Sequence, residues 1–465
     1  MPYAMELNNH KKLKPLLKII ILLVLYFNQS FAVIPKVPRQ FSRNSSMLIM
    51  NANTGKIIYS YKADVPRLIA SNMKLITTAV ALNTLGPDFH WQTKIGYTGT
   101  IKNDTLNGNL YIIGGGDPTF DSRALNEIFN HIAPIKHING NIIIDNTIFN
   151  QLPTFSMLKI DKYDFDTVLP SGFIVDANKT IFNFNIKHNK VTISSNLYGY
   201  KIINSLKVNH ENNNCGDLVN LVSYKDKDIY FNGSIAPQCN NSKLELNMLP
   251  YDKYTEMTIE RTLNNFAITV HGMITFEKSP SQINVLYDYK SQSLEDALIY
   301  MNHYSVNLIA MTTMLSTGTF LQNNLHNYLT AQQVFHDYLA QNHLLNSKFN
   351  LENGAGLSRK EYVTATNMSD LLFLVAKSSQ NNNFEKTLPQ SNESGTLENS
   401  FRSFGSRAHF KTGTLNDTRA YSGYYYTKKG NKYIVVVIAN NINANNTKVI
   451  SNLDNWIASI LKTLK

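Results

Sequence analysis

At 465 residues, with 43% hydrophobic and 11% aromatic content, the chain is too long for one simple core and apolar enough for two or three domains. That composition excludes a globally disordered protein. The formal charge is +11, but beyond the N-terminal leader no dense Lys/Arg block with interleaved aromatics occurs. The excess therefore reads as a Lys-, Asn- and Ile-rich composition, and no nucleic-acid partner is expected.

The leader comes first. Lys11, Lys12, Lys14 and Lys18 form a basic region, residues 19–27 a short apolar run, and Ser30-Phe31-Ala32 a small-x-small cleavage site. This is the pattern of a signal peptide over residues 1–32, removed after Ala32. Its apolar run is short for a membrane span, and no later segment reads as transmembrane. The sequence predicts an exported protein, in the periplasm, with at most peripheral membrane contact.

Next, residues 47–51 and 57–61 flank Asn53-Thr54-Gly55, which predicts a β-hairpin. After the connection Val65-Pro66-Arg67-Leu68, the apolar residues Met73, Leu75, Ile76, Val80, Ala81, Leu82 and Leu85 keep helical spacing until Gly86-Pro87. Ser71 thus opens a buried helix, with Lys74 one turn along the same face. Residues 91–289 differ: short strand-like runs at 110–113, 141–144 and 181–186 alternate with turns such as Gly114-Gly115-Gly116-Asp117-Pro118, Asn139-Gly140 and Asn232-Gly233. They read as a mainly β insertion between two parts of a catalytic domain, 33–90 and 290–465. Within it lie the chain's two cysteines, Cys215 and Cys239; in an oxidising compartment a single local disulfide is the natural pairing. Helical patterns return at 293–315 and 330–344, and residues 433–439 form an apolar, β-branched strand. Trp456, Ile457, Ile460, Leu461 and Leu464 make a terminal helix expected to pack on the sheet instead of on a membrane surface.

Three short motifs carry the chemistry: Ser71-Asn72-Met73-Lys74, Ser305-Val306-Asn307 and Lys411-Thr412-Gly413-Thr414. Acyl transfer needs a nucleophile, a base, an oxyanion site and a group that holds the substrate. A serine hydroxyl becomes nucleophilic when a base takes its proton, and a lysine three residues on in a helix can aim its amine there. Burial and a second cation, for which Lys411 is the candidate, favour the neutral amine this requires. Ser-x-x-Lys is a cheap pattern; Ser156–Lys159 and Ser459–Lys462 also match it, but only Ser71 has a hairpin before it and an apolar helix after it. Ser-x-Asn recurs at Ser42 and Ser194, and Ser305 is preferred because an apolar helical stretch follows. Lys-Thr-Gly occurs once, before two strand-like runs, where Gly413 lets a substrate backbone come close. The 12 histidines are scattered without a His-Glu-x-x-His pattern, so neither metal nor cofactor is implied.

With these motifs, the chain resembles the penicillin-binding D-alanyl-D-alanine carboxypeptidase/endopeptidases, the low-molecular-mass class C penicillin-binding proteins. The resemblance extends to Leu85-Gly86-Pro87-Asp88, Gly114-Gly115-Gly116-Asp117-Pro118-Thr119, Gly354-Ala355-Gly356-Leu357-Ser358-Arg359 and Gly395-Thr396-Leu397. The stretch between Lys74 and Ser305 is also far longer than in compact serine β-lactamases. The resemblance implies an α/β fold: a penicillin-binding, transpeptidase-like domain with an antiparallel sheet flanked by helices, and a long β-rich insertion forming two smaller domains. It further implies Ser71 as acylated nucleophile, Lys74 as base, Ser305 as proton relay and Asn307 as holder of the peptide amide. Lys411 and Thr412 would bind a carboxylate, and backbone N–H groups of Ser71 and Thr414 would form the oxyanion hole. The implied partners are peptidoglycan stem peptides, with β-lactam antibiotics as covalent inhibitors. Departures from the family pattern stand at Ile69, where Pro is frequent, and at Val306, Met311 and Asn353, where acidic residues are common. A β-lactamase or D-amino-acid esterase on the same scaffold, or a non-catalytic wall-binding relict, is the alternative.

Overall fold

Strand-forming sequences from the two ends of the chain meet in one antiparallel sheet, in the order Ile57–Tyr61, Ser45–Asn51, Lys432–Asn440, Thr418–Tyr426, Ala408–Leu415. This is a computed structural model, and it describes residues 35–149, 168–211, 215, 218–321, 328–393 and 395–464. The expected signal peptide and the Ser156–Lys159 pair lie outside the described residues. Strands Ser45–Asn51 and Lys432–Asn440 are buried on both faces, which explains their continuous apolar runs. Alternate residues feed different cores. Leu48, Met50, Ile434, Val436 and Ile438 face the helices around Met73–Thr84, whereas Met47, Ile49, Val435 and Val437 face the terminal helix Thr447–Leu461.

Local chemistry sets these elements. The first hairpin turns where Asn51 Oδ1 accepts from the N–H groups of Asn53 and Thr54, 2.9 and 3.0 Å away, and where Gly55 takes φ +72°. Asn446 caps the terminal helix through the N–H groups of Lys448 and Val449. The apolar stripe Leu453, Trp456, Ile457, Ile460 and Leu461 of that helix is buried on the sheet, so it is not available as a membrane anchor.

The segment 92–290 builds its own sheets. Its first strand, Gln92–Tyr97, pairs antiparallel with its last, Asn284–Lys290, so the chain leaves and returns at one point. Just outside, Ser291 Oγ accepts from the Trp91 N–H at 3.0 Å, and Ser291 N donates to Trp91 O at 3.0 Å. The segment is less purely β than its sequence reads: helices Ser122–Ile132 and Tyr251–Asn265 pack into its core. The first shows helical spacing at Ala124, Leu125, Ile128, Phe129 and Ile132, with Asp121 as N-cap. Cys215 and Cys239 are joined, with their Cα atoms 5.6 Å apart.

The helical pattern at 293–315 is two helices, Leu294–Tyr304 and Asn307–Leu321, broken at Ser305, whose φ is +62°. Helix Ala365–Lys377, not expected from the sequence, packs on the sheet from the nucleophile-helix side.

Ile457 is fully buried between the terminal helix and the sheet. Ile457→Ala is expected to cost about 2–5 kcal/mol of stability, and exposed Lys448→Ala less than about 0.5 kcal/mol, measured by denaturant unfolding.

Candidate active site

The Ser71 motif begins on a tight turn. Residues Ala70–Asn72 form a 3₁₀ turn that passes into the helix Met73–Thr84, and Ala70 adopts φ +49°. Two glycines hold this turn from either side. A Cβ on Gly356 would stand 1.9 Å from Ala70 O, and one on Gly413 2.4 Å from Ile69 O. Any larger residue would push the loop or the strand off the serine. Asn72, fully buried, ties the turn to the sheet by donating to Ser422 Oγ at 2.7 Å.

Lys74 is fully buried. Its Nζ lies 2.9 Å from Ser71 Oγ, 2.6 Å from Asn307 Oδ1 and 2.7 Å from Ala355 O. A neutral amine has two N–H donors and one lone pair. The two carbonyl-type oxygens can take only the N–H groups, which turns the lone pair toward the serine hydroxyl. Asn307 reaches the lysine because the chain breaks at Ser305 and restarts as a helix at Asn307.

The loop that supplies the Ala355 carbonyl is itself braced. Thr77 Oγ1 donates to Gly354 O at 2.7 Å. Asn353 Oδ1 accepts from the N–H groups of Ala355 and Gly356, 2.9 and 3.3 Å away, an acceptor role that the common Asp would also fill. Beneath it, Glu361 Oε1 accepts from the N–H groups of Glu352, Asn353 and Gly354 at 2.9, 2.7 and 3.1 Å. Burial raises the Glu361 pKa above its ordinary 4.5, against the lowering effect of these donors. Among the described residues its buried Oε2 has no hydrogen-bond partner.

On the opposite side, Lys411 Nζ lies 3.0 Å from Ser305 Oγ and donates to Thr412 O at 2.8 Å. Burial first, then the positive charge of Lys74 whenever that amine is protonated and of Arg419, hold its ammonium well below its ordinary range. The amine therefore points inward, while Thr414 is exposed at the end of the edge strand. Thr414 Oγ1 accepts from Arg419 Nη1 at 2.5 Å.

The structure thus brings together Ser71, Lys74 and Asn307 in one hydrogen-bonded set, and Ser305 with Lys411 in a second. The Ser459–Lys462 copy lies in the terminal helix, where Ser459 Oγ donates to Trp456 O at 2.6 Å, away from both sets. Met311 is buried in the apolar core among residues such as Met314, a place with no use for a charge. Glu361, the Ala355 carbonyl and Arg419 were not expected from the sequence. Nothing in the spacing marks Glu361, whereas Arg419 stands across a hairpin from Thr414.

This arrangement is that of a serine acyl-transfer enzyme on the penicillin-binding, transpeptidase-like fold. Residues 29–460 match the D-Ala-D-Ala carboxypeptidase 3 (S13) family, and the chain belongs to that family as a serine-type D-Ala-D-Ala peptidase. It is 22% identical over 409 residues to the D-alanyl-D-alanine carboxypeptidase DacB of Haemophilus influenzae, covering 85% of each chain. It is 23% identical to a D-alanyl-D-alanine carboxypeptidase of Actinomadura sp., covering 82% of this chain and 74% of that one. Its fold is similar to the crystal structure of penicillin binding protein 4 from Haemophilus influenzae, with a TM-score of 0.76 at 21% identity, over 90% and 96% of the two chains.

Because its folded pKa is raised, buried Glu361 stabilises the fold most at low pH, and this contribution is lost as pH rises through the folded value. Glu361→Gln keeps the side-chain acceptor and removes the titration. Unfolding free energies measured from pH 4 upward are therefore expected to show the variant gaining on the parent as pH increases.

Proposed function

We propose that Ser71 attacks the carbonyl of the penultimate D-alanine of a peptidoglycan stem peptide, releasing the terminal D-alanine or cutting a D-alanyl cross-link. The observation that carries this reading is the Lys74 amine, 2.9 Å from Ser71 Oγ, with Asn307 and Ala355 accepting its other protons. As the Ser71 Oγ–carbon bond forms, the hydroxyl proton passes to Lys74, and the oxyanion takes the backbone N–H groups of Ser71 and Thr414. The C–N bond then breaks and the departing amine takes that proton from Lys74 by way of Ser305, which Lys411 holds at 3.0 Å. Water cleaves the seryl ester and returns the proton to Ser71. Asn307 also holds the substrate amide, and Lys411, Thr412, Gly413 and Thr414 frame the strand along which the peptide lies. A β-lactam, whose strained amide mimics the D-alanyl bond, stops at the ester.

The same reading makes residues 1–32 a signal peptide and the periplasm the compartment, consistent with the joined Cys215 and Cys239. It divides the mature chain into a catalytic domain, 33–90 with 290–465, and inserted domains over 91–289. Among the described residues, no helix is long and apolar enough to cross a membrane.

Labelled penicillin is expected to form one covalent adduct, located on Ser71 by peptide mass analysis and absent from Ser71→Ala. Folded protein that gives no adduct, even transiently, overturns the assignment. Lys74→Ala is expected to slow acylation by about 10²–10⁴-fold, followed in rapid-mixing experiments on protein with a native circular dichroism spectrum. Defined monomeric and cross-linked muropeptides, with mass analysis of their products, then separate carboxypeptidase from endopeptidase action.

A further inference from the structure

The edge strand that carries Lys411 and Thr414 has a cation beside it that the reaction above does not use. Arg419 lies directly opposite Thr414 in the hairpin register, and its Nη1 donates to Thr414 Oγ1 at 2.5 Å. Its Nε donates to the Tyr421 hydroxyl at 2.9 Å, and the guanidinium sits 4.8 Å from the centre of the Tyr421 ring. These contacts fix the plane of the guanidinium and leave it partly exposed.

No ion pair holds it among the described residues. The acids on either side have closer partners: Asp417 pairs with Arg359 at 2.6 Å, and Asp454, which the Arg419 charge reaches only at longer range, accepts from the Tyr421 hydroxyl at 2.6 Å and Ser400 Oγ at 2.9 Å. Lys411 is poorly placed to supply a positive charge at the strand's outer end, because its amine is buried on Ser305 Oγ and Thr412 O. An oriented guanidinium with N–H groups to spare, and no carboxylate in ion-pair contact among the described residues, is suited to a carboxylate.

We propose that Arg419 recognises the free α-carboxylate of the leaving D-amino acid, jointly with the Thr414 hydroxyl, and so selects peptides that end in a carboxylate. The inference rests on the D,D-peptidase reading. Arg419 is a specificity residue, placed to act on binding and not on proton transfer. Cross-linked substrates whose leaving residue keeps its α-carboxylate are recognised in the same way; termini blocked as amides are not.

The test compares two acylated peptides that differ only at the end, one in D-Ala-D-Ala with a free carboxylate and one in D-Ala-D-alaninamide. Parent enzyme is expected to prefer the free acid. Arg419→Gln is expected to lower kcat/KM on the free acid by about 10- to 100-fold, chiefly through KM, and to leave the amide unchanged. Arg419→Lys, which keeps the charge without the fork, should recover part of the preference. The acid-to-amide ratio does not depend on the fraction of enzyme that is folded, so a weakened variant still answers. An unchanged ratio in Arg419→Gln, or equal losses on both peptides, overturns the role of Arg419 alone. Parent protein that turns over neither peptide and takes no penicillin overturns the peptidase reading, and this inference with it.

Discussion

A lysine fully withdrawn from water is the constraint around which this molecule is built. An unpaired amine buried at that depth would be strongly unfavourable, so Lys74 must find acceptors, and they come from segments far apart in the chain. Asn307 arrives at the start of one helix, Ala355 on a braced loop, and Ser71 on the turn before the lysine's own helix. Each segment is in turn fixed by something specific. The loop depends on buried Glu361 and on Asn353, the turn depends on glycines that let two backbones approach it, and Asn307 depends on a serine in left-handed conformation. Withdrawing any of these would loosen the lysine before it touched the serine.

The sheet makes this precision possible. Its central strands serve two cores at once, so the nucleophile helix on one face and the terminal helix on the other are registered against the same residues. The large segment between the first and second motifs does not disturb this arrangement, because it starts and ends on paired neighbouring strands. Substrate recognition and chemistry are divided in a similar way. The inward-facing Lys411 belongs to the proton-handling interior, and the outward-facing Thr414 and Arg419 belong to the rim.

Much of the architecture was legible in the sequence, and the parts that were not share a cause. The hairpin at Asn53-Thr54-Gly55, the nucleophile helix and the strand at 433–439 each combine a long apolar pattern with a clear stop, and each stands where expected. The break at Ser305 carries no Gly or Pro, so nothing in the pattern separates two helices from one; the left-handed residue there holds a contact to Lys411, distant in the chain. Helix Ser122–Ile132 shows regular spacing but is surrounded by strand-like runs, so its pattern does not stand out locally. Family motifs point to Ser71, Lys74 and Lys411 because those residues sit in short local patterns. Glu361 acts through three backbone N–H groups, and Arg419 through a cross-strand contact; neither relation leaves a local pattern in the chain.

The pairing of the first strand with the last has a consequence for how the protein comes into being. Ser45 meets Ala439 across the sheet, so the central ladder joins residues near opposite ends of the chain. Such distant pairing is slow to form, because the intervening chain must be closed before the contact is made. During synthesis the inserted segment, whose boundary strands and internal sheets are complete by residue 290, is finished long before the catalytic sheet has its partners. Until the final strands emerge, the first hairpin presents an open edge and the serine stands without its full surroundings. The hydrolytic centre is thus assembled late, and a chain cut short before Lys432–Asn440 lacks the strand that joins the first hairpin to the strand carrying Lys411.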